Sequence, residues 1–201
     1  MELLNILIDE HRIIRGYLDD IVVVIDLMKK DMWPGREFFE MGLEFTRSFS
    51  DKFHHFKEEY ILFLKLAEKK QGEMDAQIMF LRDQHERARN FTSEIDRSLD
   101  KYTKADTIHT AKVLENLGYY NLLLRQHITR EDHVFYPMAR EAFSEAEQED
   151  LLSEFRNAEQ KFGADFLETS KSNVAQMSAM LSAQFGNDYI QRLDSLRKAH
   201  D

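Results

Sequence analysis

Apolar residues recur along this chain at intervals of three and four. In the first segment Leu3, Leu7, Ile14, Leu18, Val22 and Ile25 share one side of a 3.6-residue spiral. Breaks in that rhythm are few, because the 201 residues include only 7 glycines and 2 prolines. Asp31-Met32-Trp33-Pro34-Gly35 is a turn, Gln71-Gly72 ends a segment, and Tyr102–Asp106 is polar and supplies a helix cap. Ser144 with Glu147 three residues on is a capping box. The pattern predicts four long helices, over residues 2–30, 36–70, 74–101 and 106–142. Short connections make such helices antiparallel neighbours, so the expected fold is all-α, an up-down-up-down four-helix bundle. A heptad coiled coil would not be interrupted so often.

Residues 143–201 continue the helical pattern in shorter stripes. Leu151, Phe155, Ala158 and Phe162 form one, Val174, Met177 and Leu181 a second, and Tyr189, Leu193 and Leu196 a third, with a break at Gly186-Asn187. These stripes need a surface to cover. We expect a bundle over 1–142 and a C-terminal helical extension over 143–201, packed on the bundle or on a second copy in a homodimer.

Composition narrows the chemistry. Acidic residues outnumber basic ones 37 to 27, and the charges are well mixed, which argues against a nucleic-acid partner. Without cysteine there are no disulfides, thiolate nucleophiles, zinc–thiolate sites or cysteine-held iron–sulfur clusters. The longest apolar run, Ile21–Ile25, is far too short to span a bilayer. MELLNILIDEHR lacks a basic leader and does not read as a signal peptide. We expect a cytoplasmic protein.

The histidines then stand out. His54 and Glu58 are four apart, on one face of a helix and roughly 6 Å apart along its axis, where one metal ion can take both. His127 and Glu131 repeat that spacing on the fourth helix, while His11 and His85 sit within the first and third. A single such pair reads as a surface hydrogen bond, and a single mid-helix histidine as a satisfied core residue. A set drawn from all four helices reads as a metal site. Imidazole and carboxylate without thiolate suit iron, manganese or zinc, and two metals inside a four-helix bundle favour iron. Phe49, Phe53, Phe56, Tyr60 and Phe63 read as core that keeps water scarce around it. His109, His133 and His200 read as solvated, and His55, about 100° round the helix from His54, as a supporting or surface residue.

These motifs resemble the hemerythrin-like family, also called the HHE cation-binding domain. Its helix-two motif is similar to His54-His55-Phe56-Lys57-Glu58-Glu59-Tyr60-Ile61-Leu62-Phe63, and its helix-four motif to His127-Ile128-Thr129-Arg130-Glu131 followed by Phe135-Tyr136-Pro137. Asp9-Glu10-His11-Arg12 and His85 match the motifs of helices one and three. The resemblance covers residues 1 to about 142. It implies a non-haem di-iron centre, two iron ions bridged by oxo or hydroxo and by Glu58 and Glu131, with His11, His54, His85 and His127 as the other ligands.

It also implies a small ligand, a diatomic such as O2 or NO, or peroxide, that the protein binds or senses. A redox enzyme acting on peroxide or nitrogen oxides, an iron–sulfur-repair protein, and an iron sensor or store are the alternatives. The repair branch carries an N-terminal cysteine pair that is absent here. Oxygen carriers place a second histidine four residues after the first on helix three, where this chain has Arg89. Arginine stays protonated and cannot replace that donor. One metal is then expected to lack a protein ligand, with water, an anion or His55 in the gap. On that reasoning the reduced protein should be oxidised through by oxygen instead of carrying it reversibly.

Overall fold

The computed structural model describes residues 1–103 and 106–200, the side chains of Ala199 and His200 excepted; the surroundings of His200 therefore lie outside the described residues. Among them there are helices and no strand. Helix α1 is Glu2–Lys29. Helix α2 covers 36–70: Arg36–Phe45, π-helical turns at Thr46–His55 and Glu58–Leu62, then Phe63–Lys70. Helix α3 is Asp75–Leu99. Helix α4 covers 107–142: Thr107–Arg130, a π-helical turn Glu131–Phe135, and Tyr136–Ala142. The extension contributes α5 (Glu145–Gln160), α6 (Phe166–Phe185) and α7 (Asn187–His200).

The chain's punctuation acts as its chemistry dictates. Asp31 and Gln71 adopt left-handed backbone at the ends of α1 and α2 (φ 62° and 48°), stopping each helix after its last turn. Asp106 caps α4 by accepting from the His109 amide at 3.0 Å. The Ser144–Glu147 capping box opens α5. At Gly186 the backbone turns to φ 55°, ψ −127°, a conformation that glycine adopts without a Cβ clash, and α6 ends there. Pro137 lies inside α4 without ending it. Its ring would collide with the carbonyl one turn back in a regular helix, and the widened turn at Glu131–Phe135 immediately precedes it.

Helix direction follows from which residues meet. Leu3, Leu4 and Leu7 from the start of α1 pack with Ile61–Leu66 from the end of α2, Met74–Leu81 at the start of α3 and Phe135–Phe143 at the end of α4. The other end of the bundle is a second cluster, built from Ile14–Met28, Phe38–Phe53, Ala88–Leu99 and Val113–Ile128. Successive helices therefore alternate in direction. Between the two apolar clusters lies a layer of buried polar side chains: His11, His54, His55, Glu58, His85, His127 and Glu131.

The extension lies on the face made by α1 and α2. Helix α6 packs on α1 and the first half of α2, α7 on α1 and α6, and α5 on α1 and the second π-helical turn of α2. Its stripes find their partners on the chain's own bundle: Leu151, Phe155 and Ala158 join the cluster at the start of α1, and Met177, Leu181, Tyr189 and Leu193 the other. A polar anchor fixes the junction. Asp20 of α1 is buried and accepts from Tyr189 Oη at 2.6 Å and Ser178 Oγ at 2.7 Å.

Candidate metal centre

Two groups of four side chains meet in the polar layer. His11, His54, Glu58 and Glu131 form one, and His55, Glu58, His85 and His127 the other; in each, all candidate donor atoms lie within 4.8 Å of one another. Donors around a cation at bond lengths near 2.0–2.1 Å sit about 4 Å apart across it, so each group has the span of a coordination shell. Glu58 belongs to both groups. Glu131 Oε2 also reaches both, at 3.3 Å from His11 Nε2 and 3.1 Å from His127 Nε2.

The outward faces of the imidazoles are all held. His11 Nδ1 meets Asp132 at 2.7 Å, His54 Nδ1 meets Glu10 at 2.8 Å, and His85 Nδ1 meets Glu59 at 2.7 Å. His127 Nδ1 lies 3.1 Å from Gln84 Oε1, and His55 Nδ1 3.4 Å from Asp51. An acceptor at each Nδ1 draws the ring proton there and leaves Nε2 as a bare lone pair turned inward. His85 Nε2 and His127 Nε2 then face each other at 2.9 Å. His11 Nε2, Glu58 Oε2 and both oxygens of Glu131 are buried without a hydrogen-bond partner. So many inward acceptors repel one another unless a cation lies among them, and the donor set fits a metal ion of the iron, manganese or zinc type.

Electrostatics divide the members of the layer. Burial, then neighbouring imidazoles, hold His54 and His85 well below the usual histidine range, and burial likewise lowers His55. Neutral imidazole is the form that binds metal. His11 goes the other way: despite burial, Asp132 and Glu131 raise it. The two glutamates are pushed apart. Burial, reinforced by the charge of Glu131, raises Glu58 well above the carboxylate range. Glu131 is lowered, because His127 and His11 outweigh its burial.

Local helix geometry explains how His54 and His55 serve together. Adjacent residues in an α-helix diverge by about 100°, which would turn one of them away. Both lie in the π-helical stretch Thr46–His55, where an extra residue in each hydrogen-bonded ring reduces the step. His55 is accordingly buried and stacks on His85. This corrects the reading of His55 as a supporting or surface residue. Of the three candidates for the place that Arg89 leaves open, water, an anion or His55, it puts His55 beside Glu58, His85 and His127. Arg89 points to the rim, bonding Asp51 and Glu59.

The six residues singled out from the sequence, His11, His54, Glu58, His85, His127 and Glu131, all line the layer. His133 is exposed, as expected, whereas His109, expected to be solvated, is half-buried and bonded to Asp106 at the α4 cap. Two aromatic assignments change. Tyr60 is 59% exposed and Phe56 half-buried. Lys57 is buried instead (1% exposed), between Glu10, Glu159 at 2.8 Å and the Phe53 ring. Sequence reasoning also passed over Tyr136, whose hydroxyl donates to Glu58 Oε1 at 2.5 Å and whose ring stacks on His11. The available signal was adjacency. Glu10-His11, His54-His55, Glu58-Glu59 and Glu131-Asp132 each pair an inward residue with a neighbour that joins the layer or steadies it.

Fold and site together define a helical bundle built to hold cations in a buried layer of histidine and glutamate. The family model described as the hemerythrin HHE cation-binding domain matches residues 2–139 and, in an overlapping second match, 78–199. The chain belongs to this family, and the likeness is not confined to residues 1–142. No curated protein and no solved structure gives a match.

Proposed function

We propose that the protein is a non-haem di-iron module that takes up or senses a small oxygen- or nitrogen-containing ligand: O2, NO or peroxide. His11 and His54 would hold one iron, His55, His85 and His127 the other, and Glu58 and Glu131 both. The observation that carries this reading is the set of five inward Nε2 lone pairs around two buried carboxylates, each imidazole tied by its outer nitrogen. Iron there supplies Lewis acidity and an electron reservoir. The His11/His54 group offers one imidazole fewer than the His55/His85/His127 group, so exogenous ligand would be expected at the His11/His54 side. Phe63 and Phe135, together with the apolar clusters above and below, limit water around the layer.

The alternative of a redox enzyme has one specific observation in its favour. Tyr136 places a buried phenol against Glu58, and burial, then the Glu58 charge, keeps that phenol protonated. Such a group can donate a proton beside the metals. Elemental analysis of protein reconstituted with ferrous iron tests the main reading, with about two irons per chain expected. Reconstituted protein that retains no iron would refute it. Optical spectra on adding oxygen, nitric oxide or peroxide identify the ligand, and sustained peroxide turnover would select the enzyme.

A further inference from the structure

Arg89 is 34% exposed on its side chain and sits one turn after His85 on α3, at the edge of the polar layer. Its Nε donates to Asp51 Oδ1 at 2.8 Å and its Nη2 to Glu59 Oε1 at 2.6 Å. These two carboxylates have other work. Asp51 Oδ1 faces His55 Nδ1 at 3.4 Å, and the same Oε1 of Glu59 takes His85 Nδ1 at 2.7 Å. His55 and His85 belong to one donor group, with rings stacked 3.8 Å apart. One guanidinium thus reaches two imidazoles of the same group, each through a carboxylate.

We infer that Arg89 is a positioning residue whose forked guanidinium fixes Asp51 and Glu59, and through them aims the Nε2 atoms of His55 and His85 at a shared metal. The inference rests on the metal reading of the layer. It explains how an arginine one turn after His85 is compatible with a full donor group: α3 contributes the clamp, and α2 contributes the imidazole. Ordinary surface ion pairs do little, because water competes and two flexible side chains must be ordered. Here Glu59 is buried and Asp51 half-buried, and arginine's planar fork can hold two acceptors at fixed separation. Lysine offers a point charge that cannot span both with the same geometry. His11 and His54 are held by Asp132 and Glu10, which Arg89 does not touch, so the effect should be confined to one of the two metals.

The test compares wild type, R89A and R89K in two measurements. Anaerobic titration with ferrous iron reads each site's affinity. Ring-nitrogen NMR of 15N-histidine-labelled apoprotein reads the tautomers of His55 and His85, a quantity that a merely stabilising surface contact would not move. R89A should weaken one of two irons by roughly ten- to hundredfold, the usual scale for losing an outer partner of a ligand. It should also blend the His55 and His85 tautomers while His11 and His54 stay fixed, and R89K should fall between. Wild-type affinity and fixed tautomers in R89A would overturn the inference, and a wild-type R89K would overturn the role of the fork. If wild type binds no iron, the metal reading fails, and the NMR comparison still decides the clamp.

Discussion

His55 and His85 come from different helices yet lie ring on ring, with centroids 3.8 Å apart and planes 13° from parallel. That stack makes His55 a member of a donor group, with a direct consequence for composition. His55→Ala should lower bound iron from about two per chain toward one. His133→Ala, on an exposed side chain, and His109→Ala, at the α4 cap, should leave it unchanged. Elemental analysis of the three variants after identical reconstitution checks this, and equal losses would mean that the site lies elsewhere.

The Tyr136–Glu58 hydrogen bond yields a second expectation. Removing the hydroxyl in Tyr136→Phe strands Glu58 Oε1 in a buried layer. Leaving a buried polar group unpaired costs about 1–3 kcal/mol. Urea denaturation of the apoprotein should therefore give a stability lower by that amount. With metal bound to Glu58 the deficit should shrink, since a cation satisfies the carboxylate in place of the phenol.

Metal should also stabilise the fold itself. An ion that binds only the folded layer adds about 2.7 kcal/mol when its free concentration is a hundred times Kd. At this chain length that corresponds to a rise in Tm of roughly 5–10 °C. Part of the gain comes from relieving the acceptor-rich layer, where Glu58 is otherwise pushed toward protonation by burial and by Glu131. Calorimetric scans with and without ferrous iron test the shift; superimposable scans would mean that the folded chain binds no ion in preference to the unfolded one.

Asp20 gives a pH dependence independent of metal. Burial raises it to about 6 from 3.8, against the hydrogen bonds of Tyr189 and Ser178. The folded-state value lies above the unfolded one, so folding favours the protonated acid. Its contribution is best below about pH 4, is lost as pH rises toward 6, and stays lost above. At two pH units or so, the cost at neutral pH is about 3 kcal/mol. Asp20→Asn, which cannot ionise and still offers an acceptor to Tyr189 or Ser178, should be more stable than wild type at pH 8. That advantage should be much smaller at pH 4.5. Urea melts at the two pH values measure the difference, and an equal effect at both would rule out ionisation as its source.

The four bundle helices were legible in the sequence because their signals are local. Apolar spacing sets each helix; Asp31 and Gln71 end two of them through left-handed backbone, and the Asp106 side chain caps the start of α4. Four of the site residues were legible for the same reason, since His54/Glu58 and His127/Glu131 announce a shared face by spacing alone; His11 and His85 were legible only as the single histidines that complete a set drawn from all four helices. Tyr60 and Lys57 were not, because spacing counts Tyr60 as apolar and cannot see that Glu10 and Glu159 surround the Lys57 amine.

Whether His55 faces in or out was decided by the third dimension. Regular α-geometry turns it from His54, and only the wider turn over Thr46–His55 brings both rings inward. Arg89 shows the same division. From sequence it marks a missing donor, because a one-dimensional pattern compares position with position. In the fold its fork meets Asp51, thirty-eight residues away, and Glu59, thirty away, and those carboxylates hold the histidines. The placement of α5–α7 on α1 and α2 likewise depended on what Asp20 and the apolar stripes met. The sequence determines which faces must be covered and which atoms can bind a cation; packing determines which partners arrive, because hydrogen bonds and buried contacts join residues distant along the chain.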